Sequence, residues 1–186
     1  LARAALGLTR PYLLMVSTVE PRKNVPFLVE VFDRLADFDG DLVIAGMKGW
    51  HVEPILESMR AARRADRIRH LDYVKEEHLA GLYAGAELFV FPSLYEGFGF
   101  PPLEAMIAGT PVLSSDGGSL GEALGDGADI LPTFDADSWA EEIRDLLADQ
   151  ARREQLVARG RRQAAKYTWA DHVRRTWDVY RKVADA

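Results

Sequence analysis

The chain has 186 residues, 48% of them hydrophobic, and a formal net charge of -6; one sizeable core fits this length, and two full domains would be a squeeze. An acidic balance with no basic, aromatic-interleaved segment offers nothing to grip a phosphate backbone, so nucleic acid is not an expected partner. The absence of cysteine excludes disulfides, thiol nucleophiles and thiolate metal sites; no apolar run approaches the roughly 18 residues of a membrane-crossing helix, and the opening LARAALGLTRP is too short and interrupted for a signal sequence.

Short apolar runs bounded by turn residues recur at 12–17 (YLLMVS), 41–46 (DLVIAG), 68–74 (IRHLDYV), 88–93 (LFVFPS), 111–115 (PVLSS) and 129–132 (DILP). Such runs, largely apolar on both faces, read as buried parallel strands. Helical periods fill the gaps: Val25, Leu28, Val29, Phe32 and Leu35 repeat at i, i+3, i+4 and i+7, as do Trp139, Ile143, Leu146 and Leu147. Strand-then-helix order predicts an α/β fold, a parallel sheet with helices on both faces. From about residue 138 the strand signal stops, and the chain reads as helical to TWADHVRRTWDVYRKVADA. Trp169, Val173, Trp177 and Tyr180 form an apolar stripe there, with Arg174, Arg175, Arg181 and Lys182 around it; packing on the parent domain is favoured over a membrane-surface role.

In open α/β sheets, ligands sit off the carboxyl ends of the strands, and two loops of that kind stand out. In STVEPRKNVPFLVEVF, Asn24 reads as an N-cap, Pro26 falls in the first turn and the helix runs on from Val25. Arg22 and Lys23 then lie just before a positive helix end, where each cation is disfavoured by about 0.3–1 kcal/mol. An ion pair with Glu20 or a bound phosphate would compensate them, and the local chemistry leaves both open. In PSLYEGFGFPPLEAMIAGTPV, Gly97 and Gly99 permit close approach of backbone to a ligand, and Pro101 and Pro102 suit a helix start. Glu104 is expected in the first helical turn, complementing the dipole, and Glu96 in the loop before it. Phe98 and Phe100, taken singly, read as core plugs. Two carboxylates flanking such a loop could accept from vicinal hydroxyls. His51, His70, His78 and His172 are scattered without metal-ligand spacing and read as surface or packing residues.

EPRKN followed by EGFGFPPLE resembles the C-terminal, nucleotide-sugar-binding half of the retaining GT-B glycosyltransferases of family GT4 (glycosyltransferase group 1), which includes many mannosyl- and glucosyltransferases. LVIAGMKGW, HLDYVKEEHLAGLYAGAELFVFPS and GTPVLSSDGGSLGEALGDGADILP extend the likeness over almost the whole chain. The resemblance implies a Rossmann-like parallel sheet, one of the two halves of a GT-B fold. Residues 1–186 would be the donor-binding domain, with the helical segment from about 138 returning toward a missing N-terminal domain; a chain beginning without Met fits a domain cut from a longer protein.

By position, the resemblance assigns Arg22 and Lys23 to the donor diphosphate, Glu104 to the ribose hydroxyls and Glu96 to the transferred sugar, so that Glu96, Arg22 and Lys23 form the catalytic group. The backbone N–H groups of Gly97, Phe98, Gly99 and Phe100 would hold sugar hydroxyls and the distal phosphate. The base would lie by Tyr73 and Val74, with Gly46 lining the cleft. Ser17 and Asp72 stand where the family often has glycine and would crowd the ligand slightly. The implied reaction moves a hexosyl group, mannosyl or glucosyl, from a GDP- or UDP-linked donor to an acceptor hydroxyl with retention. Arg22, Lys23 and the loop amides would stabilise the departing diphosphate without a metal or other cofactor. A glycan or lipid-linked acceptor would bind the missing half, without which this domain is expected to be inactive. The implied location is cytoplasmic, with the inner face of the membrane, and peripheral association with it, left open to the missing half. A non-catalytic nucleotide-sugar-binding module, a GT-B-fold nucleotide-sugar epimerase and a flavodoxin-like receiver are the competing readings. The paired glutamates count against the epimerase, and the cationic first loop against the receiver.

Overall fold

The computed structural model describes residues 2–185. A short helix, α1 (Ala2–Ala5), precedes six strands: β1 (Tyr12–Val16), β2 (Asp41–Ala45), β3 (Ile68–Leu71), β4 (Leu88–Phe91), β5 (Val112–Ser114) and β6 (Asp129–Ile130). They form one sheet in the order β3-β2-β1-β4-β5-β6, every pairing parallel. The chain works outward from β1 to β3, then crosses back to lay β4 on the other side of β1, which makes the β1–β4 boundary the switch point of a Rossmann-like sheet. β1, β2, β4 and β5 are buried or nearly so along their length, while the edge strands β3 and β6 are half-buried, which is why the apolar runs at the centre are the most continuous. Each apolar run overshoots its strand by one to three residues at its C-terminal end (Ser17, Gly46, residues 92 and 93), and those extra residues open the loops at the ligand edge.

Between the strands lie α2 (Val25–Arg34), α3 (Glu53–Ala61), α4 (Glu76–Ala84), α5 (Phe100–Ala108) and α6 (Leu120–Leu124); α7 (Ala136–Ala148), α8 (Gln150–Ala164) and α9 (Trp169–Ala184) follow β6. α2 buries Val25, Leu28, Val29, Val31 and Phe32, the stripe that its periodicity predicts. Asn24 corrects one expectation. A 3-10 turn at Pro21–Lys23 precedes the helix, and Asn24 closes it in the left-handed region (φ 57°, ψ 37°), its side chain making no capping hydrogen bond to α2. Asparagine tolerates that region as well as it caps, so the residue type fits both roles. Glu104 corrects another: α5 begins at Phe100, which moves this glutamate into the second turn, beyond the orphan donors of the helix end.

α7 and α8 belong to the core of this domain. Asp135 caps α7 by accepting from the Ser138 N–H at 2.8 Å, and Trp139 is fully buried, donating from Nε1 to the Thr133 carbonyl at 2.7 Å. Its ring meets Phe27 of α2 edge-on, with centroids 5.5 Å apart. On α8, buried Gln163 donates to the Ala123 carbonyl at 2.8 Å, tying this helix to the end of α6. α9 differs. It buries no residue, and Trp169, Val173, Trp177 and Tyr180 are all exposed, so the expectation that this stripe packs on its domain fails among the described residues. Among those residues, no helix is long and apolar enough to cross a membrane.

This contrast is measurable. Trp139→Ala is expected to cost about 3–5 kcal/mol in urea unfolding, the usual loss for an emptied aromatic site, whereas Trp177→Ala in the same chain should change stability by no more than about 0.5 kcal/mol.

Candidate functional site

Because β1 pairs with β4, with Leu13 opposite Leu88 and Leu14 opposite Phe89, the loops leaving their carboxyl ends are neighbours although some seventy residues separate them. The first carries Glu20, Arg22 and Lys23; the second carries Ser93 and Glu96. A backbone bond from the Leu94 N–H to the Arg22 carbonyl, 2.9 Å, joins them. Glu96 is further held by the loop after β5, its N–H donating to the Gly117 carbonyl (3.1 Å) and its carbonyl accepting from the Ser119 N–H (2.9 Å).

The Glu96 side chain is buried. Its Oε1 accepts from Lys23 Nζ at 2.6 Å and from Ser93 Oγ at 2.7 Å, and its Oε2 accepts from Arg22 Nη1 at 2.7 Å. Arg22 also donates to the Tyr95 carbonyl (2.6 Å) and, through Nη2, to Glu20 Oε1 (2.7 Å). The Lys23 ammonium lies 5.4 Å from the centroid of the Phe91 ring. The two cations at the start of α2 are therefore balanced by two carboxylates. The Glu20 pair foreseen as one way to compensate them is present, and Glu96 supplies the second.

Desolvating a carboxylate and an ammonium together costs several kcal/mol per ion and is offset only by close geometry and further hydrogen bonds, of which Glu96 accepts three and Lys23 donates one. Burial pushes the Glu96 carboxyl up, but the hydrogen bonds from Lys23, Ser93 and Arg22 outweigh it and hold the group below its ordinary value. The Glu96 hydrogen bond in turn raises the Arg22 pKa. The two cations are not equivalent toward solvent: the Arg22 side chain is 39% exposed and that of Lys23 10%. Three of the five guanidinium N–H groups of Arg22 and one of the three ammonium N–H groups of Lys23 are committed to the hydrogen bonds just described, so it is the greater exposure of Arg22 that makes it the cation better able to reach a ligand.

Beside this cluster the chain turns through Gly97, Phe98 and Gly99 into α5. Among the described residues no backbone carbonyl accepts from the N–H groups of residues 97–100. The two glycines have different reasons. A Cβ on Gly99, whose φ is +102°, would come within 2.7 Å of the Leu120 side chain, so the fold requires glycine there. A Cβ on Gly97 would meet nothing within 4 Å, and its φ lies outside the left-handed region, so the fold alone does not require glycine. Phe98 packs partly against the core and against Tyr167, with centroids 5.1 Å apart, whereas Phe100 is exposed and is not the core plug that its type suggests.

The remaining candidates sit around this centre. Glu104 is exposed on α5 and accepts from the Tyr83 hydroxyl at 2.7 Å, a contact to a different partner from the three that hold Glu96. Tyr73 is exposed and Val74 half-buried, both just past β3. Gly46, just past β2, donates to the Leu71 and Asp72 carbonyls at 2.9 and 3.1 Å and accepts from His70 Nε2 at 2.9 Å. Its backbone polar groups are engaged, which leaves it shape rather than hydrogen bonding to contribute. Asp72 pairs with Lys48 at 3.7 Å, and Ser17 Oγ is buried without a partner among the described residues. Cavities of about 450 and 380 Å³ lie elsewhere, one lined by Asp145, Asp149 and Arg152, the other by Glu87, Pro111 and Arg153. Sequence reasoning does not single out Ser93 or Tyr83. Ser93 has a local signal, three residues before Glu96 at the end of a strand; Tyr83 has none, its partner being 21 residues away on another helix.

Glu96→Ala leaves Lys23 buried without a carboxylate and is expected to cost about 3–5 kcal/mol in urea unfolding, part of which Lys23→Met restores in the double variant. A carboxyl whose folded value is lowered stabilises fully above its unfolded value and loses that contribution as pH falls through the folded one. Wild type should therefore keep the Glu96 contribution at neutral pH and lose it only on acidification below the ordinary carboxylate range, a step absent from the stability–pH curve of Glu96→Ala.

The chain matches the sequence model of the family described as "Glycosyl transferases group 1" over residues 2–163. It is 37% identical over 173 residues to the O-antigen chain mannosyltransferase B of Escherichia coli, covering 91% of this chain and 45% of that protein. It is 30% identical over 181 residues to the D-inositol 3-phosphate glycosyltransferase of Nocardia farcinica, covering 91% and 40%. Among solved structures, a sucrose-phosphate synthase from Thermosynechococcus elongatus superposes with a TM-score of 0.84 at 29% identity, over 99% of this chain and 48% of that one. Anabaena HepE in complex with UDP and glucose gives 0.83 at 16% identity, over 99% and 51%, a likeness of fold. The chain thus spans less than half the length of the curated relatives named here. With a sheet of this order and a match that runs from α1 into the last turn of α8, the chain belongs to the glycosyl transferases group 1 family.

Proposed function

We propose that this chain is the donor-binding domain of a retaining hexosyltransferase, which passes a mannosyl or glucosyl group from a nucleotide-diphosphate sugar to an acceptor hydroxyl. The observation that carries this reading is the Glu96 cluster at the β1–β4 switch point, set beside the uncommitted N–H groups of residues 97–100. A departing diphosphate needs fixed positive poles where its charge develops. Arg22 supplies its remaining N–H groups, and the start of α5 supplies the amides of residues 97–100, in a reaction that needs no metal. Lys23, the more buried cation, acts on the phosphates through the same cluster and keeps Glu96 anionic.

Glu96 faces the transferred sugar in this reading. Its lowered pKa disqualifies it as a general acid at neutral pH, and both its oxygens already accept hydrogen bonds, which blunts it as a nucleophile. Orientation of sugar hydroxyls and stabilisation of an oxocarbenium-like state remain for it. Glu104 takes the ribose hydroxyls, and the base lies against the backbone of residues 73 and 74, with Gly46 shaping the wall. The mannosyltransferase among the relatives favours a mannosyl donor, with guanine or uracil as base. A glycan or lipid-linked acceptor binds the half that this chain lacks, on which the exposed face of α9 seats, and peripheral association of the whole cytoplasmic protein with a membrane is decided there.

Calorimetric titration with GDP, UDP, ADP and their mannose or glucose conjugates tests the reading. One nucleoside diphosphate should bind clearly best, and Arg22→Ala should weaken it about tenfold or more, roughly 1.4 kcal/mol for a charge-assisted contact. Gly97→Ala should keep the stability of the wild type while weakening the sugar conjugate, whereas Gly99→Ala should lose stability. Equally poor binding of every nucleotide by wild type and Arg22→Ala alike would refute a donor site here. In the protein with both halves, Glu96→Gln should lower kcat more than donor affinity.

A further inference from the structure

Glu104 is exposed, yet one of its oxygens is not free. Tyr83, in the last turn of α4, is only 2% exposed and donates its hydroxyl to Glu104 Oε2 at 2.7 Å. A buried phenol must find an acceptor, and this one finds it on a surface carboxylate of the neighbouring helix. Tyr83 is itself braced: its backbone carbonyl accepts from the buried Thr110 Oγ1 at 2.7 Å, and its ring lies 5.6 Å from that of Phe89 on β4. A rigid path therefore runs from the sheet through Tyr83 to one oxygen of Glu104. Burial first, and the Glu104 charge second, push the phenol far above its ordinary pKa, so it is a permanent donor. The second oxygen, Oε1, is not engaged by Tyr83.

We propose that Tyr83 is a positioning residue for the nucleotide: by holding Oε2 it fixes the Glu104 carboxylate so that Oε1 meets the vicinal hydroxyls of the donor ribose, selecting ribonucleotides over deoxyribonucleotides. This rests on Glu104 being the ribose ligand. An unheld glutamate on a helix surface must lose its rotamer freedom when it binds, and one already fixed has less to lose. The hydroxyl of Tyr83 is thus worth affinity although it touches no ligand.

The experiment measures binding of the preferred nucleoside diphosphate, and of its 2′-deoxy and 3′-deoxy forms, to wild type, Tyr83→Phe, Glu104→Gln and the double variant, with urea unfolding alongside. Phenylalanine leaves no unpaired group inside, because the Glu104 oxygen turns to water, so Tyr83→Phe should unfold close to the wild-type midpoint. It should bind the ribonucleotide about fivefold more weakly, lose less toward the 2′-deoxy and 3′-deoxy forms, each of which keeps one of the two hydroxyls, and add nothing to Glu104→Gln in the double variant. If Glu104→Gln abolishes the ribo-over-deoxy preference while Tyr83→Phe keeps it in full, the positioning role is wrong and the ribose assignment stands. If Glu104→Gln leaves that preference intact, the ribose assignment falls and the positioning role falls with it.

Discussion

A buried carboxylate between a lysine and an arginine is the constraint around which this domain's working edge is organised. Neither Glu96 nor Lys23 could leave water alone: each ion costs several kcal/mol to desolvate, and their attraction offsets that only when the geometry is close and further hydrogen bonds support the pair, as those from Ser93 and Arg22 support Glu96. Meeting that condition takes three loops at once. The loop after β1 brings the cations, the loop after β4 brings Glu96 and Ser93, and the loop after β5 fixes the Glu96 backbone through Gly117 and Ser119. Only a sheet with β1, β4 and β5 adjacent delivers these loops side by side, so the strand order is a precondition of the cluster. The cluster in turn holds the loops rigid where a ligand of an open α/β sheet binds.

What the amino-acid sequence discloses follows from which forces are local. Strands buried on both faces must be apolar along their length, so β1, β2, β4 and β5 are legible as runs, and α2 and α7 as periodicities. Loop boundaries were legible too, because glycines and prolines mark them. The Glu96–Lys23 pair was not, since it spans 73 positions and depends on β4 crossing to the far side of β1. Asn24 shows a subtler limit: asparagine is favoured both at an N-cap and in the left-handed region, and the 3-10 turn before it decides which. Glu104 falls in the second turn and not the first because the helix begins at Phe100, ahead of its two prolines. The Tyr83 contact lies between two helices whose sequences carry no mark of each other.

The end of the chain separates into two parts with different physics. α7 and α8 are anchored by Trp139 and Gln163 in the interior, and the family match ends at residue 163, within α8. α9 has the most sharply divided apolar and charged faces of the late helices, yet buries nothing. Periodicity reports that a face is apolar, never what covers it. An amphipathic helix with an uncovered aromatic stripe leaves an exposed apolar face of the kind that marks an interaction surface.

The neutrality of the Glu20–Arg22–Lys23–Glu96 group bears on how the proposed site would recognise a diphosphate. Two cations alone at a helix start would draw any anion over a long range, and the attraction would fade with salt. Two cations already matched by two carboxylates exert little field at a distance. What remains is short-ranged and directional: the uncommitted N–H groups of Arg22 and the amides of residues 97–100, which reward a phosphate only at hydrogen-bonding distance and in the right orientation. The carboxylates thus trade raw attraction for discrimination. They also keep the cations in place before anything binds, so the ordering that a ligand would otherwise have to impose is already present in the fold.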